Sequence, residues 1–190
     1  MMALSQSSAP AGESFAWHYT SGQCAMQILQ SRIILPAYEN VPRGERPAVW
    51  FSLNKFWEPT ASKGILDPIT RVRRFATIDE MERFAGGCYR FGIQPARLLC
   101  WTALKGKTRM RPKTVRALER VAYEMGSNPR HWMGTLEAVP VPEVVMIQTL
   151  INGSWRAAPE PALSEFFIVS EQAPTNHKCR IPVSKSGVAA

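Results

Sequence analysis

A hairpin signal in the C-terminal half of the chain constrains the fold most strongly. Residues 144–151 form a near-continuous apolar run, and Asn152-Gly153 follows it at once. An Asn-Gly pair favours a two-residue type I′ turn, because both residues tolerate positive φ angles. The segment Ser154-Trp155-Arg156 then returns as the partner strand. The chain therefore contains antiparallel strands that are adjacent in sequence, and strictly alternating βαβ units do not account for it.

Short segments with helix and strand patterns precede this hairpin. Apolar residues at helical spacing, together with capping residues, predict helices at residues 22–31, 79–84 and 113–125, and a further one that begins near Glu58 with Pro59 in its first turn. Apolar and aromatic runs predict strands at residues 15–19, 33–35, 48–53, 88–93 and 98–103, and a last edge strand at 166–169. Strands outnumber helices and are partly consecutive, which favours an α+β fold.

The chain of 190 residues fits one domain. Its polar ends predict a flexible N-terminal tail at residues 1–14 and a flexible C-terminal tail at residues 171–190, on either side of a single α+β domain at residues 15–170. No signal peptide pattern and no apolar run of membrane-spanning length is present, so a cytoplasmic protein without a membrane partner is expected. The four cysteines match no zinc-site spacing and are expected to be reduced and mostly buried: Cys24, Cys88, Cys100 and Cys179.

The charge balance is strongly basic. The formal net charge is +8, from 23 Lys and Arg against 15 Asp and Glu. The densest group of cations lies between Lys105 and Arg116. Such a balance indicates a partner of acidic character, which is a nucleic acid, an acidic protein face or a phosphate-bearing cofactor. A merely solvated basic face explains the same composition.

Three segments carry residue types that suit ligand binding. Residues 17–21 read Trp-His-Tyr-Thr-Ser, where a strand ends and a helix begins, and free backbone N–H groups at such a place favour anions. Residues 49–54 read Val-Trp-Phe-Ser-Leu-Asn, which mixes rings for stacking with hydrogen-bonding groups. Glu137 is an acid in an otherwise apolar stretch, and Glu143 is its nearest competitor. Each segment also has a plainer interpretation, as a core histidine, a core strand and an exposed acid.

Taken together, the order and spacing of these segments resemble the ADP-ribosyltransferase superfamily, in its His–aromatic–Glu branch, over roughly residues 15–150. The resemblance implies an ADP-ribosyltransferase-like fold of split antiparallel β-sheets flanked by short helices. It also implies NAD as the substrate that donates ADP-ribose. The cofactor-binding residues that it implies are His18, Tyr19, Thr20, Trp50, Phe51 and Ser52. The family usually has a Tyr where this chain offers Trp50 or Phe51, so the residue that stacks on nicotinamide stays open.

The resemblance assigns the catalytic roles to His18 and Glu137. In the family the histidine binds the NAD ribose, and Thr or Ser near it supports the nicotinamide amide. The carboxylate stabilises the oxocarbenium-like cation that forms when the bond to nicotinamide breaks, which is electrostatic catalysis and requires no metal. Arg32, Lys63 and Arg73 are all candidates for holding the pyrophosphate. The function implied is transfer of ADP-ribose to a macromolecular target, by a protein such as a bacterial or phage effector.

Two other functions fit parts of the sequence. Transfer of an RNA 2′-phosphate to NAD belongs to the same fold, but no clear Arg-His signature for the RNA phosphate is present. A non-enzymatic module that binds nucleic acid or protein would use the basic stretch from Lys105 to Arg120. The helix at 113–125 resembles a fragment of a helix-turn-helix, although the sequence shows no second helix with a recognition face.

Overall fold

The structure is a computed structural model that describes residues 14–67, 69–83 and 86–158. In chain order its strands are β1 (Ala16–Ser21), β2 (Ile33–Ile34), β3 (Val49–Ser52), β4 (Gly64–Leu66), β5 (Arg73–Phe75), β6 (Cys88–Ile93), β7 (Leu99–Cys100), β8 (Trp132–Thr135), β9 (Val139–Pro140), β10 (Met146–Ile151) and β11 (Ser154–Ala157). Its helices are α1 (Gly22–Ser31), α2 (Ile78–Arg83), α3 (Trp101–Lys107) and α4 (Pro112–Glu124).

A seven-stranded antiparallel sheet organises the molecule. Its strand order is β11-β10-β6-β1-β3-β8-β7, and every neighbouring pair runs antiparallel. Two small sheets of two strands each, β2 with β9 and β4 with β5, lie apart from it. The helices are few and short, so the predicted α+β class is confirmed.

Successive residues of a strand point to opposite faces, so the sheet has two chemically different sides. The α1 face is the side whose apolar residues pack with α1, through Ala25, Ile28 and Leu29. Ala16, Phe51 and Phe91 belong to this cluster. The tryptophan face is the opposite side, and its apolar clusters contain Trp17, Trp50, Trp57, Trp101, Trp132 and Trp155.

Helix α1 shows how local sequence signals set an element. Ser21 lies at its N-cap, and the backbone N–H of Cys24 donates to the Ser21 hydroxyl at 3.4 Å. Arg32 ends the helix in the left-handed region, with a φ of 57°. The apolar positions Ala25, Ile28 and Leu29 form the buried stripe. The predicted bounds, residues 22–31, are confirmed.

Most of the other predicted elements are present in the described residues. The strand at residues 88–93 has the predicted bounds, and the predicted helices at 79–84 and 113–125 are Ile78–Arg83 and Pro112–Glu124. Asn152 and Gly153 have φ angles of 50° and 70°, as a type I′ turn between β10 and β11 requires. Pro59 begins a short 3₁₀ helix, Pro59–Ala61, which Glu58 caps.

The predicted strand at residues 98–103 is wrong. Only Leu99–Cys100 is a strand, and helix α3 begins at Trp101. Trp101, Leu104 and Thr108 follow one another at helical spacing and are all buried, so the burial period is that of a helix. A short apolar run does not distinguish the two structures on its own. Helix α3 therefore precedes α4 directly, which the sequence did not indicate.

Some expectations concern residues that the structure does not describe. The edge strand at 166–169, the C-terminal tail and residues 1–13 of the N-terminal tail lie outside the described residues, as does Cys179. Of the other cysteines, Cys88 is buried, Cys24 is partly exposed and Cys100 is exposed, and no two of these three form a disulfide. The expectation of mostly buried thiols therefore holds for Cys88 alone among them. No helix in the described part of the chain has the length and apolar character to cross a membrane.

Candidate functional site

The strand order brings the three segments singled out from the sequence side by side. Strand β1 carries the His-Tyr-Thr residues, β3 is the Val-Trp-Phe-Ser strand, and β8 leads to Glu137. In the large sheet these strands are neighbours, in the order β1-β3-β8. Segments that lie about 30 and 80 residues apart in the chain thus form one continuous surface.

His18 and Phe51 lie next to each other on the α1 face. Trp17 pairs with Ser52, so in this antiparallel register the next pair is His18 and Phe51. Their ring centroids are 5.7 Å apart. Phe51 pairs in turn with Met133 of β8, and His18 pairs with Phe91 of β6. His18 is therefore one member of a row that crosses the sheet among apolar side chains.

The surroundings of His18 determine its charge and its tautomer. Burial lowers the pKa of His18 to about 4, and the positive charge of Lys63 acts in the same direction. The ring is therefore neutral near pH 7. Its Nδ1 lies 2.9 Å from the carbonyl oxygen of Trp50, which can only accept, so Nδ1 carries the proton and donates. The lone pair of Nε2 is left to accept a hydrogen bond from a ligand.

Thr20 lies on the same face as His18, two residues further along β1. It is 6% exposed and pairs with Tyr89 of β6. On β3, Val49 lies on the same face as Phe51 and towards the same end of the sheet as Thr20, and it pairs with Thr135 of β8. Thr20 and Thr135 thus lie at the same end of the sheet, where β1 and β8 finish. We call this end, formed by strand ends and not by an outermost strand, the Thr20 edge.

Three of the residues that the resemblance assigned to the cofactor lie on the tryptophan face. Tyr19 packs against Trp57 and Trp155, and its hydroxyl donates to the carbonyl oxygen of Asn54 at 2.6 Å. Burial raises the pKa of Tyr19 to about 12. Trp50 lies within 6.1 Å of the Trp101 and Trp132 rings.

Ser52 is the third of these residues. Its hydroxyl donates to Glu58 at 2.8 Å, and only 1% of the residue is exposed. The structure therefore brings His18, Thr20 and Phe51 together and separates them from Tyr19, Trp50 and Ser52. Strand alternation is the reason, because consecutive residues cannot share a face.

The two candidate acids lie at opposite edges of the sheet. Glu137 is exposed, two residues beyond Thr135, and its backbone N–H donates to the Thr135 hydroxyl at 3.2 Å. It therefore lies at the Thr20 edge. At about 3.3 Å per residue, Glu137 is at most about 13 Å along the strand direction from Met133, the member of the His18 row on β8.

Glu143 lies at the other edge, where β1 begins. Val145, two residues later, donates its backbone N–H to Gly92 at 2.8 Å, and Gly92 pairs with Trp17 near the start of β1. The Glu143 carboxylate accepts from Arg97 at 2.6 Å. A cavity of about 210 Å³ is lined by Ile93, Gln94, Arg97 and Glu143, and it does not include His18.

A buried carboxylate, Glu58, was not identified from the sequence as a key residue. It is 5% exposed and accepts hydrogen bonds from the Ser52 hydroxyl, the Thr60 hydroxyl and backbone N–H, and the Ser127 hydroxyl. Through these hydrogen bonds the Glu58 carboxylate connects three segments, which are β3, the 3₁₀ helix Pro59–Ala61 and the segment after α4. The Glu-Pro-Thr sequence after a strand is the capping signal that could have revealed it.

Arg90 is a second buried charged residue that the sequence interpretation passed over. Its guanidinium lies 3.8 Å from the Trp17 ring centroid and 4.4 Å from that of Trp155. It donates twice to Gln148, at 2.7 and 2.5 Å, and to the carbonyl oxygen of Lys55 at 2.5 Å. Burial lowers the pKa of Arg90. An arginine inside the apolar strand at 88–93 is the signal, because a buried charge must be paired or hydrogen-bonded.

The geometry defines this protein as an α+β protein with a seven-stranded antiparallel sheet, and the α1 face of the sheet carries a neutral, largely buried histidine beside a phenylalanine. Within the described residues, no three His, Cys, Asp or Glu side chains are grouped as metal ligands would be. No family model, no curated protein and no solved structure matches the chain.

Proposed function

We propose that this protein is an NAD-dependent ADP-ribosyltransferase, with an ADP-ribosyltransferase-like fold, that acts on a macromolecular target. The observation that carries the proposal is the strand order β1-β3-β8. It places His18 beside Phe51 on one face and puts Glu137 at the edge marked by Thr20. These are the residue types that bind ribose, stack on nicotinamide and stabilise a cationic transition state.

The state of His18 suits a ribose contact. A neutral ring whose Nδ1–H donates to Trp50 offers Nε2 as an acceptor for a ribose hydroxyl. A protonated ring would instead offer a positive charge beside the oxocarbenium-like cation, which would oppose its formation. The low pKa of His18 therefore supports the role that the resemblance implies.

In this proposal Phe51 is the aromatic residue of the site; it is 3% exposed in the apolar cluster of the α1 face, so it supports the His18 ring rather than offering a free face to nicotinamide. The sequence left Trp50 and Phe51 as alternatives, and Phe51 is the one on the face of His18. Trp50, Tyr19 and Ser52 contribute to the fold on the tryptophan face instead.

In this proposal Glu137 is the catalytic carboxylate, because it lies at the Thr20 edge and Glu143 lies at the opposite one. During transfer the bond from ribose C1 to nicotinamide breaks, and nicotinamide leaves with the electron pair. A nucleophile of the target then bonds to C1 and loses its proton. The Glu137 carboxylate stabilises the positive charge between these events.

Arg32, Lys63 and Arg73 stay the three basic candidates for the pyrophosphate in this proposal. The positive charge of Lys63 lowers the pKa of His18, so its electrostatic effect extends to the proposed ribose site.

Incubation of the full chain with labelled NAD and a bacterial lysate tests the proposal. We expect label on a macromolecule with the wild type, and a loss of at least about 100-fold with Glu137→Gln, the size of effect typical for a lost electrostatic stabiliser. His18→Ala should lose labelling as well, through weaker NAD binding. Glu143→Gln is the matched control and should label like the wild type.

The outcomes separate the assignments. Loss of label with Glu143→Gln and retention with Glu137→Gln would move the catalytic role to the other edge of the sheet. No labelling and no release of nicotinamide by the wild type would overturn the proposal. Circular dichroism of each variant establishes that it is folded.

A further inference from the structure

The positive charge of the chain is concentrated in one structural unit. Residues 101–131 contain eight Lys and Arg and two Glu, which corresponds to six of the eight net positive charges. This segment forms α3, α4 and the turns that follow each of them. Its apolar side packs on the tryptophan face through Trp101, Leu104 and Ala122.

The cations lie on the exposed side of this unit. Lys113, Arg116 and Arg120 follow one another at helical spacing along α4, and all three are exposed. At 1.5 Å per residue they extend over about 10 Å of helix. Lys107 at the end of α3 and Arg109 in the turn are exposed as well. We call these five residues the basic face.

Few carboxylates neutralise the basic face. In the described part of the chain, Lys107, Arg109, Lys113 and Arg116 take part in no ion pair, and Arg120 has only a 3.7 Å contact with Glu124. Glu119 is occupied by the indole N–H of Trp101 at 2.7 Å and by Lys105 at 3.7 Å. The basic face is therefore largely uncompensated.

The turn between the two helices is held in place by one acid from a distant segment. The Glu45 carboxylate accepts from the backbone N–H of Arg111 at 3.2 Å, from its Nε at 3.1 Å and from the Thr114 hydroxyl at 2.6 Å. Only 3% of the Glu45 side chain is exposed. The Glu45 carboxylate is therefore enclosed by these donors and shielded from solvent. It fixes the turn between α3 and α4, and a fixed turn pre-organises the cations on both sides of it.

A cleft of about 490 Å³ opens between α3 and α4. It is lined by Thr102, Lys105, Gly106, Met110, Pro112, Val115 and Arg116. Gly106 is exposed, and a Cβ atom placed there would meet nothing within 4 Å. Packing therefore does not require glycine, which is less favourable than alanine inside a helix. A bare backbone between two lysines allows a ligand to approach closely.

We propose that the basic face and this cleft bind the phosphate backbone of duplex DNA. Duplex DNA carries one negative charge per 1.7 Å of its axis, which matches a rigid row of uncompensated cations better than an isolated phosphate does. The contacts are to phosphate and carry no base sequence information. This proposal does not depend on the transferase activity, since the basic face packs on the opposite side of the sheet from His18.

Fluorescence anisotropy of a labelled 20-base-pair duplex with the full chain, without NAD, tests the proposal. We expect affinity to fall steeply between 50 and 200 mM salt, with a log–log slope of about −4 for four to five phosphate contacts. Lys113→Glu with Arg116→Glu should weaken binding at least about 10-fold. Arg83→Glu with Arg156→Glu is the matched control, because both arginines are exposed and the net charge changes equally.

The control double variant distinguishes DNA binding at the basic face from general electrostatic attraction of DNA to a positively charged protein. Equal weakening by both double variants, or no binding at 50 mM salt, would overturn the proposal. Tighter binding to polyglutamate than to duplex DNA would replace it with an acidic protein partner. Gly106→Ala should leave the chain folded and weaken binding a few-fold, and unchanged affinity would remove the cleft from the site. None of these results depends on labelling with NAD, so a failure here leaves the transferase proposal intact.

Discussion

The Nδ1 atom of His18 lies 2.9 Å from the carbonyl oxygen of Trp50, on the strand next to its own. The sheet itself therefore orients the His18 side chain. Its direction is set by a backbone atom, so substitution of the Trp50 side chain would leave this hydrogen bond in place. This hydrogen bond fixes the tautomer of His18, whereas burial of the ring lowers its pKa to about 4 in spite of the bond, which acts in the opposite direction.

The first prediction concerns stability against pH. The pKa of His18 is about 4 in the folded protein and 6.5 in the unfolded chain, so the unfolded chain binds more protons between these values. Its contribution to the free energy of unfolding is therefore complete above about pH 6.5 and decreases as the pH falls towards 4. Between pH 7 and pH 5 we expect a loss of about 2 kcal/mol.

Urea unfolding at both pH values measures this loss. His18→Gln should remove most of it, whereas His131→Gln, at an exposed histidine, should keep it. If the two variants respond to pH in the same way, the burial assigned to the His18 ring is wrong.

A second prediction concerns Glu58. Glu58→Gln replaces one acceptor oxygen by an amide donor that faces hydroxyl donors, so the free energy of unfolding should fall by about 2–4 kcal/mol. Glu39→Gln, at an exposed acid, should change it by less than about 0.5 kcal/mol. In a double-mutant cycle with Ser127→Ala, we expect a coupling of about 1 kcal/mol or more. Strict additivity would show that the Glu58–Ser127 contact does not stabilise the fold.

Two arginine-to-lysine substitutions provide a third, internally controlled prediction. Arg90→Lys loses the flat contact with two indoles and the paired bonds to Gln148, so thermal or urea unfolding should show a loss of about 2–4 kcal/mol. Arg97→Lys alters an exposed ion pair with Glu143 and should cost less than about 1 kcal/mol. Comparable losses in the two variants would contradict the buried role of Arg90.

A fourth prediction concerns the start of α1. A Cβ on Gly22 would lie 2.0 Å from the carbonyl oxygen of Gly86, and the Gly22 N–H donates to Gly87 at 2.8 Å. Gly22→Ala must therefore push two backbone segments apart, and a loss of about 2–3 kcal/mol is expected from urea unfolding. Gly64→Ala is the control, since a Cβ there meets nothing within 4 Å. A tolerated Gly22→Ala would mean that the two segments are not in contact.

How far the sequence predicts this fold depends on how local each signal is. The bounds of α1 follow from a capping serine and a stripe of three apolar residues, all within its own length. The β10–β11 hairpin follows from Asn152-Gly153 for the same reason. Helix α3 was missed because Leu98 to Trp101 is a short apolar run, and its helical state is stabilised by Trp132 and Glu119, which are distant in the chain.

The candidate site shows the same division. The period of two in a strand already requires Trp50 and Phe51 to face opposite sides. Which of them shares a face with His18 depends on the pairing of Trp17 with Ser52, and this register is a contact between segments 35 residues apart. Glu58 and Arg90 were overlooked because their importance comes from burial, which their immediate neighbours in sequence do not reveal.

The sequence by itself determined the α+β class, the capped helix, the hairpin and the concentration of positive charge between residues 101 and 131. These properties depend on backbone preferences and charges that act within a few residues. Only the tertiary structure decided that β1, β3 and β8 are neighbours, that His18 is neutral, and that Glu137 and Glu143 lie at opposite edges. Strand order and desolvation arise from packing between distant segments, and that packing is established only when the whole sheet assembles.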